Sequence, residues 1–127
     1  MKRGTAGFLG GAMGGFVMLV INFGETGTYS VISWITQIWI TGFVGWIISK
    51  IISKKYTINF LYSGAITGAI IGVVLWTLMN VVFMLSGTIT PTWSMGSGTF
   101  ILTFFSHIVL GLVITYTISK SQIKVAN

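Results

Sequence analysis

The chain has 127 residues, of which 54% are hydrophobic and only 6% charged, with a formal net charge of +6. Average globular usage puts charged residues near a quarter of the chain, so there is too little polar surface here to coat a soluble domain. The basic excess does not point to nucleic acid, because the Lys and Arg residues sit at the edges of apolar runs, where lipid headgroups account for them.

A helix crosses ~30 Å of hydrocarbon at 1.5 Å per residue, which takes roughly 17 to 25 apolar residues. The first such run is 5–23. It follows Met1-Lys2-Arg3 as a signal peptide would, yet ends in Asn22-Phe23-Gly24-Glu25 with no small-residue cleavage site, and is read as a retained helix. The second run is 30–49 and the third, the longest, is 58–85, long enough to tilt or to extend beyond the hydrocarbon. The fourth, 98–119, follows a Gly/Ser/Thr/Pro-rich break from Ser86 to Ser97. None of the four contains Lys, Arg, Asp or Glu, and none alternates with the period of two that a membrane barrel needs. The expected fold is therefore all-α: one polytopic membrane domain over 1–127, a bundle of four transmembrane helices.

All seven basic residues fall on one side of these spans: Lys2 and Arg3, then Lys50, Lys54 and Lys55, then Lys120 and Lys124. Positive charge is retained in the cytoplasm, so both termini are expected there. Tyr29, Trp34 and Trp93 lie near the outer boundary, and Trp46, Tyr56, Tyr62 and Tyr116 near the inner one, as interfacial anchors do.

The second and fourth spans align without a gap from Trp34–Lys50 onto Phe104–Lys120, pairing Ile48-Ser49-Lys50 with Ile118-Ser119-Lys120 and Gln37 with His107. Gly7, Gly11, Gly15 and then Asn22 echo Gly64, Gly68, Gly72 and then Asn80, with one residue inserted. The expected unit is thus a helical hairpin, repeated once about an axis along the membrane normal.

Glycine at every fourth position keeps small residues on one stripe, drifting about 40° per step, where a neighbouring backbone can approach closely. Gly7, Gly11 and Gly15, and Gly64, Gly68 and Gly72, are expected to serve helix packing, within the bundle or between chains. Asn22, Gln37, Asn80 and His107 are strongly polar side chains inside the spans. Gln37-Thr41-Gly45 and His107-Gly111-Thr115 each form one face that should point inward. Two readings stand for this set: hydrogen-bonded glue between helices, with Asn80 and His107 an obvious pair, or a small polar site lining a pathway. His107 is the one side chain that titrates near neutrality in its ordinary state.

The remaining chemistry is defined by what is missing. Asp and Cys are absent and Glu25 is the one acid, so no paired-carboxylate, thiolate or metal-binding set can be assembled from one chain. No phosphate-binding or nucleophile-elbow motif occurs. Neither catalytic residues, metal ligands nor a cofactor are expected.

Gly7-Phe8-Leu9-Gly10-Gly11 leading to Asn22-Phe23-Gly24-Glu25-Thr26-Gly27, then Gly68 to Trp76, then Leu110-Gly111-Leu112 with Tyr116-Thr117-Ile118-Ser119, together resemble the YqhR group of membrane proteins from spore-forming Gram-positive bacteria. The resemblance implies a bacterial plasma membrane and a helical fold, and supplies no activity or residue role. The function expected on these grounds is a non-enzymatic packing or accessory role in a larger membrane complex or homo-oligomer, with glycine stripes and the basic rim as contact surfaces. The alternative is a minimal oligomeric channel or transporter using Gln37, Asn80 and His107. A phage holin-like lysis protein is a third reading, suggested by small size and basic ends.

Overall fold

A computed structural model describes residues 2–26, 31–52, 64–87 and 90–126, the side chains of 23–26 and 122–126 excepted. Tyr29, Ser53, Lys54, Lys55, Tyr56, Tyr62 and the start of the third apolar run lie outside the described residues, as does the Lys124 side chain. The described chain is helical throughout: α1 (Arg3–Thr26), α2 (Val31–Ile51), α3 (Ala65–Ser86), a 3-10 turn at Thr92–Ser94 and α4 (Ser97–Ala126). All four α-helices are long and apolar enough to cross a membrane, with mean hydropathies between 1.6 and 2.2 over their spans. α3 ends on Gly87, whose φ of 67° is the left-handed conformation that glycine adopts without steric cost.

α1 and α4 form the centre. α1 packs against α2 and α4, and α4 against α1 and α3, while among the described residues α2 and α3 have at most slight direct packing. The order in space is α2–α1–α4–α3, with successive neighbours antiparallel, so that Lys2, Arg3, Lys50 and Lys120 gather at one end of the bundle. There Lys50 lies over the Trp46 ring and Lys120 over the Tyr116 ring, 5.5 and 5.4 Å from the centroids. Such stacking shields an ammonium at a membrane boundary while leaving it near water.

The core is small: Met18, Ile48, Leu110, Ile114 and Ile118, with Val44, Ile52, Ile71 and Leu75 packed against it. Between these apolar residues lie buried Thr41, Ser49, Ser106, Thr115, Ser119 and Ser121. Each of their hydroxyls donates to a carbonyl three or four residues earlier on its own helix, so small polar residues are packed without orphaned donors.

Candidate functional site

The glycine stripes are consumed within the chain. A Cβ on Gly7 would strike the Gly45 carbonyl oxygen and come 2.6 Å from Ser49 Cβ; one on Gly11 would strike Thr41 and lie 3.0 Å from Gly42 Cα. In the second hairpin a Cβ on Gly68 would lie 3.0 Å from both the Gly111 carbonyl oxygen and Leu112 Cα, and one on Gly72 2.5 Å from Ile108 Cα. Gly64, buried, precedes α3. Of the two expected uses of these stripes, the contacts show packing within the bundle: atoms of α2 and α4 already lie against Gly7, Gly11, Gly15, Gly68 and Gly72. A second glycine face on α1, with the same spacing, was not expected. Gly10 and Gly14 meet Ile114 and Leu110 of α4, so α1 is close-packed on two sides.

The polar side chains separate into two groups. Asn80 is 0% exposed. Its Nδ2 donates to Trp76 O at 2.9 Å, and its Oδ1 accepts from Thr92 Oγ1 at 2.9 Å and from the Trp93 backbone N–H at 3.3 Å. The expected pairing of Asn80 with His107 is therefore corrected: no hydrogen bond joins them, because Asn80 turns outward to hold the 3-10 turn over the bundle. Trp76, just below, donates to Thr103 Oγ1 at 3.2 Å and meets Trp93, Phe100 and Phe104 edge-on. Asn22 donates to Met18 O and to Ser106 Oγ at 2.9 and 3.3 Å, joining α1 to α4. Asn80 and Asn22 thus act in structure, one on a corner and one between helices.

Gln37 and His107 behave differently. Both line a cleft of about 270 Å³ between α2 and α3, floored by Met18 and Leu110. Asn22 and Asn80 are not among its lining residues. His107 is 5% exposed, and its Nδ1 lies 2.7 Å from the Thr103 carbonyl oxygen. A carbonyl only accepts, so Nδ1 carries the proton, and in the neutral ring Nε2 is left as an acceptor. The cleft continues toward the basic end as an apolar groove of about 530 Å³ that shares Val44 and Leu75 with it and reaches Ile51 and Ile52. Among the described residues there is no group of three potential metal ligands.

No family model, no curated protein and no solved structure matches the chain.

Proposed function

We infer that this chain is a non-enzymatic membrane protein, built from a duplicated helical hairpin, that serves a larger membrane complex or homo-oligomer. The contacts of Gly11 with Thr41 and Gly42, and of Gly68 with Gly111 and Leu112, fall at positions that the sequence repeat pairs, as do the two lysine–aromatic stacks. The observation that carries the accessory reading is an aromatic face along α1 and α2. Phe16, Trp39, Phe43 and Trp46 are all exposed, and edge contacts of Phe8 with Trp39 and Phe16 with Trp34 hold rings in place before any partner arrives. Rigid aromatic surfaces bind at low entropic cost, which makes this face, rather than the glycine stripes, the contact surface. Native mass of the chain extracted in nanodiscs is expected to exceed that of one copy, and Trp39→Ala with Phe43→Ala to reduce it to one. A wild-type chain that is monomeric without a co-purifying subunit overturns this reading.

The second reading, a minimal carrier or channel, draws on Gln37 and His107 lining one cleft. It differs in its readout: ion or solute flux from liposomes containing this chain alone.

The basic end faces the cytoplasm in either case, by the retention of positive charge, and the YqhR-like pattern supports a bacterial plasma membrane. Ser94, exposed in the turn, and Lys50, exposed at the opposite end, are suitable reporters. A cysteine at Ser94 should react with an impermeant maleimide on intact cells and one at Lys50 only after permeabilisation. Reversed labelling overturns the orientation.

A further inference from the structure

We propose that the cleft between α2 and α3 binds a neutral, membrane-soluble lipid of the long-chain alcohol class, with its hydroxyl at Gln37 and His107 and its hydrocarbon body in the apolar groove. The inference goes beyond both readings above and concerns the isolated chain, so its failure leaves each of them standing.

Depth comes first. His107 lies ten residues after Ser97 and thirteen before Lys120, so helical rise puts it about 15 Å from the start of α4 and about 20 Å from the basic end. That is mid-membrane, where a phospholipid headgroup does not reach. Yet two polar groups face the cleft there. The Nε2 of His107 has no hydrogen-bond partner once Nδ1 is held by Thr103, and the Gln37 amide makes no side-chain hydrogen bond among the described residues. An acceptor that opens onto a cleft lined mostly by apolar side chains at this depth is stabilised by whatever brings it a donor.

Charge then narrows the class. The residues lining the cleft and groove include no Lys, Arg, Asp or Glu. A carboxylate or a phosphate would sit at mid-membrane without a counter-charge, as would an ammonium, and both are costly there. A hydroxyl fits: its O–H donates to His107 Nε2, and its oxygen accepts from the Gln37 amide.

Shape sets the remainder. From Gln37 to Ile51 along α2 is about 21 Å, the reach of a long alkyl or polyprenyl chain. Ile47, Ile51, Ile70 and Val74 line this length, and the volume is in the range of about 300–1,000 Å³ that ligand sites occupy. Because α2 and α3 have at most slight direct packing among the described residues, such a molecule enters sideways from the bilayer.

The probe is hexadecanol carrying a photoactivatable diazirine, compared with its methyl ether, on the full chain in nanodiscs. The alcohol should label α2 and α3 within the groove and half-saturate at roughly tenfold lower concentration than the ether, the value of one good hydrogen bond. His107→Phe should raise the alcohol to the ether's concentration, and Leu75→Trp, filling the junction of cleft and groove, should abolish labelling by both. In wild type, which requires no variant to fold, the ¹⁵N resonance of His107 Nε2 should move with the alcohol and stay with the ether. Equal saturation by alcohol and ether, labelling confined to the outer lipid-facing surface, or an unmoved Nε2 resonance would each overturn the proposal; the first would leave an ordinary acyl chain as the occupant.

Discussion

Gly68→Ile destabilises the protein by at least about 3 kcal/mol, whereas Ile70→Leu, two residues away, changes stability by less than about 0.5 kcal/mol. The difference is one of direction. Ile70 is 58% exposed on the lipid side of α3, where a change of branching displaces only solvent chains. At Gly68 even a Cβ would lie 2.5 Å from Thr115 Oγ1 and 3.0 Å from the Gly111 carbonyl oxygen and Leu112 Cα. Two of these three are backbone atoms, which cannot rotate away, so α3 and α4 must separate and lose dispersion contacts along their whole seam. Unfolding of both variants followed by helical circular dichroism in mixed micelles tests this. Equal stabilities would mean that Gly68 faces lipid.

Asn80→Leu is expected to cost about 2 kcal/mol, the net value of three hydrogen bonds of which two can be replaced by interfacial water. Its effect is local. The side chain keeps a similar volume beside Trp76, but Thr92 Oγ1 and the Trp93 N–H lose their shared acceptor. Hydrogen exchange at Trp93 to Met95 should accelerate strongly while α1 and α2 keep their protection. Uniform acceleration through all four helices would instead make Asn80 a part of the global core.

The contrast between these residues explains what could be read from the sequence. The four spans were legible because apolar length is a direct consequence of bilayer thickness, although α4 runs on to Ala126, past the expected end at 119. The glycine stripes were legible because spacing by four fixes a helix face, whichever neighbour it meets. Which neighbour it meets is not encoded in that spacing. Gly10 and Gly14 share the same spacing on a second face of α1, and only the position of α4 gives them a role. Asn80 was expected to reach His107 since both lie in facing helices near the same depth. The turn at Thr92–Ser94 offered it a hydroxyl and a backbone N–H on the same oxygen, and loop geometry of that kind cannot be derived from apolar patterning. Gln37 and His107, each expected on an inward face, line one cleft, but its openness was not legible: among the described residues α2 and α3 have at most slight direct packing, and apolar patterning does not say which helices stand apart.

The spatial order α2–α1–α4–α3 also bears on how the protein is made. α1 and α2 emerge from the ribosome adjacent and can close as a pair at once, but the second glycine face of α1 then looks onto lipid. α3 arrives without a neighbour of its own, since its packing partner is α4. Only α4, the last of the four to be synthesised, seals α1 and α3 together, supplying Leu110, Ile114 and Ile118 to the core in a single step. During translation the nascent chain is thus a closed hairpin accompanied by a helix whose packing face waits for α4.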